Sequence, residues 1–154
     1  MNAALPVHAP MRQWPVVDDC LTIGGIALPR LVARVGQTPF YAYDRNLLKT
    51  RVAELRSALP GTVKLHYAMK ANPMPALVDC MARLVDGIDV ASGRELRVAL
   101  DAAVEPAEIS FAGPAKSDGE LLQAVASGIL INIESLRELE LLANASRALH
   151  VPAR

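Results

Sequence analysis

Residues 63–73 read Val-Lys-Leu-His-Tyr-Ala-Met-Lys-Ala-Asn-Pro, and the first seven carry the alternation of a strand. Lys64, His66, Ala68 and Lys70 fall on one face, and Leu65, Tyr67 and Met69 on the other. The second set is the face that helices would cover. Lys70 then stands at the strand end, just before the break Ala71-Asn72-Pro73. The same order of short apolar strand, polar strand end, turn and helix recurs downstream. The pattern predicts strands over residues 63–69, 87–91, 108–112 and 129–133, with helices over 75–84, 95–103, 117–127 and 135–149. Pro75 suits a first helical turn. Ser117 with Glu120 makes a capping box, and Ser135 caps the last helix with Glu138 three residues on.

Strands separated by single helices imply parallel pairing through right-handed crossovers. Two α/β architectures meet that requirement: an open doubly wound sheet and a β/α barrel. No GxGxxG follows a strand, which disfavours the dinucleotide-binding version of the first. Gly24-Gly25 reads as a hairpin turn ahead of the repeats. A complete barrel has eight units and about 250 residues, whereas four units are found here. The repeats therefore form either a four-unit open sheet or the N-terminal half of a barrel, stopping before a fifth strand.

Upstream, residues 39–43 are a strand candidate closed by Asp44. Asp44 is placed to cap a helix over residues 45–59, which Pro60-Gly61 stops. Residues 1–13 contain Pro6, His8 and Pro10 and no continuous apolar run, so they read as a loose leader rather than a secretory signal or a membrane span. The predicted division is a leader with a first hairpin and helix over residues 1–37, then a partial barrel over 38–154.

The 154 residues are 52% hydrophobic and 21% charged, enough to bury a core. Sixteen basic residues balance sixteen acidic ones, which argues against nucleic acid and membrane surfaces as partners. Cys20 and Cys80 match no metal-ligand spacing and read as reduced thiols, so the expected compartment is the cytoplasm and no metal is expected.

The polar residues gather at predicted strand ends: Lys70, then Asp89 with Glu95 after the turn Ser92-Gly93-Arg94, then Lys116, then Asn132 and Glu134. In a barrel these positions share the C-terminal rim, where active sites lie. A lysine facing a barrel mouth is costly unless it is paired or used covalently. Ala68 beneath it leaves room for a flat ring. Taken singly, each residue also fits a solvated loop charge or a cap. His66 reads as an interior histidine, and no GxSxG motif is present.

Three runs in order carry a family likeness: Thr38-Pro39-Phe40-Tyr41-Ala42-Tyr43-Asp44, Tyr67-Ala68-Met69-Lys70-Ala71-Asn72, and Asp89-Val90-Ala91-Ser92-Gly93-Arg94-Glu95-Leu96. Two more follow, Phe111-Ala112-Gly113-Pro114-Ala115-Lys116-Ser117 and Ile131-Asn132-Ile133-Glu134-Ser135. Together they resemble the pyridoxal 5'-phosphate (PLP)-dependent decarboxylases of the diaminopimelate, ornithine and arginine group, which share an alanine-racemase-like barrel. The likeness is nearest to a branch associated with exosortase systems. It implies the N-terminal half of a PLP-binding (β/α)8 TIM-like barrel of about four units. It also implies α-decarboxylation of an amino acid through a Schiff base on Lys70, with Ala68, Asp89 and Glu95 beside the cofactor. The implied partners are a small amino-acid substrate and, for the full-length parent, a second copy in a homodimer. The family's later parts are a ring-stacking histidine, a glycine-rich phosphate loop, an acid at the pyridine nitrogen and a C-terminal β domain. None of them occurs in these residues, so the chain is expected to be an N-terminal fragment with little activity. A racemase on the same barrel, or a non-catalytic regulator that pairs with an active homologue, are the alternatives.

Overall fold

The computed structural model describes residues 13–154, so most of the predicted leader, with His8, lies outside the described residues. Two compact units divide between Arg51 and Val52.

The first unit contains three short antiparallel strands, β1 (Val16–Val17), β2 (Cys20–Ile23) and β3 (Ile26–Ala27). The turn between β2 and β3 is Gly24-Gly25, with φ of 58° and 74°. Positive φ at both central residues is the two-residue hairpin geometry that glycine permits without strain. Helix α1 (Leu28–Val35) has proline in its first turn and ends on Gly36 in the left-handed conformation. Helix α2 (Arg45–Ala58) begins as predicted. Asp44 Oδ1 accepts the Asn46 N–H at 2.8 Å, and its Oδ2 accepts the Gly24 N–H at 3.0 Å. One carboxylate thus caps a helix and ties down the hairpin turn.

The predicted strand over residues 39–43 does not form. The alternation is present, with Phe40 and Ala42 half-buried between exposed neighbours. A strand also needs a ladder, and this segment pairs with no strand among the described residues.

The second unit is the predicted repeat. Strands β4 (His66–Ala68), β5 (Gly87–Val90), β6 (Ile109–Phe111) and β7 (Leu130–Ile131) form one parallel sheet in chain order. Helices α3 (Pro75–Ala82), α4 (Gly93–Asp101), α5 (Asp118–Ser127) and α6 (Leu136–Leu149) follow them in turn. Each strand lies beside its successor, with no reversal of order. A doubly wound sheet reverses at a switch point, whereas a barrel does not, so this order is that of consecutive barrel strands.

The caps explain the helix starts. Ser117 accepts the Glu120 N–H while Glu120 reaches back to the Ser117 N–H, completing the capping box. Ser92 caps α4 by accepting the Glu95 N–H, so this helix starts at Gly93 rather than at the predicted Glu95. Ser135 accepts the Glu138 N–H and starts α6.

The strands are shorter than the pattern suggests. Residues 63–65 lie outside β4, and Lys64 is ion-paired with Glu108 instead of lining the strand face. Met69–Ala71 forms a 3-10 turn, so Lys70 sits in the turn after the strand and not on the strand itself. Met69 is fully buried, which pins that turn to the core.

The core lies between sheet and helices. Ile88, Val90, Ile109 and Phe111 supply it from the strands, and Val78, Leu96, Leu121, Val125 and Leu142 from the helices. Burying side chains of this size stabilises by about 1.5–3 kcal/mol each before entropy is counted. The alternate strand positions form the opposite face. Register places His66 beside Gly87, Ala68 beside Asp89, Asp89 beside Ser110, and Ser110 beside Leu130.

Candidate active site at the strand ends

Ala68, Lys70, Asp89, Val90, Ala91, Ala112 and Gly113 line one cleft of about 170 Å³. It opens at the C-terminal ends of β4, β5 and β6, where the turns into the helices are free to shape a site. Lys70, Ala68 and Asp89, read from the sequence as one site, are thus brought together.

Four lysines occur in the chain: Lys49, Lys64, Lys70 and Lys116. Lys64 is ion-paired with Glu108 and Lys116 with Glu138. The Lys70 ammonium has no hydrogen bond or ion pair among the described residues, and the residue is exposed. It is the cleft's one amine. The wall around it is built from three alanines and a glycine, so a flat ring would meet little steric resistance.

Asp89 belongs to β5, between the buried Ile88 and Val90, and its side chain is 42% exposed. Its Oδ1 lies 3.0 Å from His66 Nδ1 and also accepts the Ser110 hydroxyl. A carboxylate only accepts, so the imidazole tautomer that bonds to it is the one with its N–H at Nδ1.

Glu95 takes a different place. Its Oε2 accepts the Ala91 N–H at 2.7 Å, closing the turn after β5. The residue lines a neighbouring groove with Pro73, Pro75, Ser92, Arg94 and Val98. It reaches the Lys70 cleft only through Ala91.

The third and fourth strand ends differ from the sequence reading. Lys116, read as a rim residue, is 3% exposed. Its ammonium donates to Gly113 O and Asn132 O, each at 2.7 Å, and to Glu138 Oε2 at 3.1 Å, and it lies 5.7 Å from the centre of the Phe111 ring. Every donor of the ammonium is used, which is what makes its burial tolerable. Glu138 occupies the position of a capping-box acid but turns to Lys116 and to the Glu134 N–H. The Glu134 N–H, and then the Lys116 ammonium, hold the Glu138 carboxyl below its ordinary pKa, against burial that pushes the other way. Glu134 Oε1 accepts the Gly113 N–H at 2.5 Å. Glu120 accepts the N–H groups of Ser117 and Gly93, which together lower its pKa.

These bonds share a theme. The turns after β5 and β6 each have a backbone N–H tied by a glutamate, from the same turn or from the next unit. The cleft rim is therefore held by carboxylates that never enter it.

Residues 45–154 match the family model described as pyridoxal-dependent decarboxylase, pyridoxal binding domain. The chain belongs to this family. Over 126 residues it is 41% identical to the diaminopimelate decarboxylase of Aquifex aeolicus, covering 81% of this chain and 30% of that one. A solved protein structure from Aquifex aeolicus superposes with a TM-score of 0.84 at 38% identity, covering 92% of this chain and 35% of that one. The diaminopimelate decarboxylase of Helicobacter pylori, solved in complex with L-lysine, superposes with a TM-score of 0.74 at 33% identity, covering 82% and 32% of the two chains. The chain spans about a third of the length of the relatives it matches. The family is one of PLP-dependent carboxy-lyases, and the four-unit sheet is part of its barrel. No helix among the described residues is long and apolar enough to cross a membrane, and no metal-holding cluster of His, Cys, Asp or Glu occurs among them.

The sequence reading missed Ser110. Its signal was slight: one hydroxyl between Ile109 and Phe111, on the parity that faces away from the helices. Glu138 was seen only as a capping residue.

Proposed function

We propose that Lys70 Nζ is the amine on which this protein carries PLP as a Schiff base, and that the protein decarboxylates a free amino acid. One observation carries the reading: Lys70 is the unpaired amine of a cleft that also holds Asp89, at the strand ends of a barrel fold. The donor set suits the group. A primary amine can be bound covalently, a carboxylate can meet its polar edge, and Ala68, Ala91, Ala112 and Gly113 leave space for its ring. When bound, PLP supplies an electron sink for the charge left as a carboxylate departs as CO2.

The chain's own residues do the rest. Lys70 anchors the group and, once released, has an amine free to take up or return a proton. Asp89 fixes the electrostatics beside it. Glu95 acts from the next turn by holding the Ala91 N–H and so the cleft wall. We assign the barrel portion to residues 38–154. The substrate class follows the relatives named above, a diamino acid such as diaminopimelate. L-lysine in the Helicobacter pylori enzyme is what diaminopimelate becomes on losing one CO2. We place the protein in the cytoplasm, acting in its full-length form as a homodimer. The 154 residues alone should turn over slowly, because four strands wall only one side of a barrel mouth.

The test is CO2 release from diaminopimelate, ornithine and arginine by the full-length form with PLP. Release from diaminopimelate that Lys70→Ala abolishes supports the reading. Release undiminished in Lys70→Ala, or loss of optical rotation without CO2, contradicts it.

A further inference from the structure

His66, Asp89 and Ser110 are the three residue types of a hydrolytic triad, but their bonding rules that role out. In a triad the serine hydroxyl bonds to the imidazole, which takes its proton. Here the hydroxyl donates to the carboxylate, and the imidazole does the same. Both land on the same atom, Asp89 Oδ1. Asp89 Oδ2 has no hydrogen-bond partner among the described residues. The arrangement therefore orients a carboxylate and activates no nucleophile.

The setting shows that this is built in. Ser110 is 7% exposed, flanked by the buried Ile109 and Phe111. A hydroxyl in such a place needs a partner, and Asp89 is its cross-strand neighbour. His66 is seated by the neighbouring strand. A Cβ added at Gly87 would fall 2.3 Å from the Glu108 carbonyl oxygen and 2.6 Å from His66 Cε1. Only glycine leaves room for that ring beside that backbone. Three successive strands thus contribute one group each: the histidine of β4, the acid of β5 and the hydroxyl of β6.

We propose that His66 and Ser110 are positioning residues for Asp89. They hold Oδ1 from behind, so that the carboxylate stays fixed, with Oδ2 left for the bound group in the Lys70 cleft. The proposal rests on the reading that Lys70 binds PLP. It extends that reading to two residues that do not line the cleft and that act only through the acid.

The experiment is an absorbance titration of the full chain with PLP, giving a Kd, with circular dichroism on every variant. Losing a bond to a charged group should weaken binding about tenfold. Ser110→Ala and His66→Phe should each show that loss. Ser110→Thr, which keeps a hydroxyl, and His66→Asn, which keeps a donor near the Nδ1 position, should recover most of the affinity. In an Asp89→Asn background, Ser110→Ala and His66→Phe should add little further loss, because their effect runs through the carboxylate. A general packing defect would instead persist in that background and would not be rescued. The two residues provide independent arms if one variant fails to fold. Wild-type Kd in both Ser110→Ala and His66→Phe, or undiminished losses in the Asp89→Asn background, overturns the proposal and leaves the Lys70 reading standing. Uptake unchanged in Lys70→Ala, or no uptake by the wild type, sinks the Lys70 reading and this proposal with it.

Discussion

The helix-covered face of the four-stranded sheet carries Ile88, Val90, Ile109, Phe111 and Ile131, while the opposite face carries His66, Ala68, Gly87, Asp89, Ser110 and Leu130. On the first face Ile88 and Ile109 are completely buried. On the second, Asp89 keeps 42% of its side chain exposed and Leu130 is 47% exposed. Both faces come from the same few residues, separated only by the parity of the strand. The first face supplies burial, which is the main source of stability. The second carries the polar groups that would have been costly in the core, and there the cleft forms. Substitutions at adjacent residues should therefore have very different effects.

The largest loss is expected outside both faces, where a charge is buried in the turn after β6. Lys116→Met should leave the Glu138 carboxylate without its ammonium and cost about 3–5 kcal/mol in urea unfolding. The double change Lys116→Met with Glu138→Leu should recover much of that loss, since an apolar pair avoids the desolvation. A single variant as stable as the wild type would show that the pair is not buried as described. Next in size is Ile109→Ala, which opens a cavity in the core and should cost about 2–5 kcal/mol. Leu130→Ala removes a comparable side chain from the open face and should change stability by less than about 0.5 kcal/mol. Equal costs for the two would erase the distinction between the faces.

Acid should act on the carboxylates that hold the turns. Glu120 and Glu138 both have folded pKa values below their ordinary ones. Their contribution is complete above the ordinary glutamate range and is lost as pH falls through the lowered folded values. Unfolding followed at falling pH should show that loss, and Glu138→Gln should flatten part of the slope. An unchanged slope would mean that Glu138 is not the acid involved.

Much of this was legible in the chain. Strand parity put Tyr67 and Met69 on the helix side, where both meet the core, and the serines read as caps, Ser117 and Ser135, both cap helices. Spacing alone left barrel and open sheet unresolved, because the choice rests on which strands are neighbours. The strand over residues 39–43 has the right alternation but no partner, and a local pattern cannot supply one. Lys70, Ala68 and Asp89 could be grouped from strand-end positions and the family motifs. Burial of Lys116 could not be read, since it depends on Glu138 from the following helix and on the Asn132 carbonyl. The Ser110 bond likewise exists only after β5 and β6 pair in register.

The central claim is that Lys70 is the amine for PLP. The direct measurement is borohydride reduction of the PLP-treated protein, followed by digestion and mass spectrometry of the lysine peptides. The account predicts a stable pyridoxyl group on Lys70, with Lys64 and Lys116 left unmodified by their ion pairs. A pyridoxyl group on Lys49, Lys64 or Lys116 in place of Lys70, or on none of the four, would contradict it.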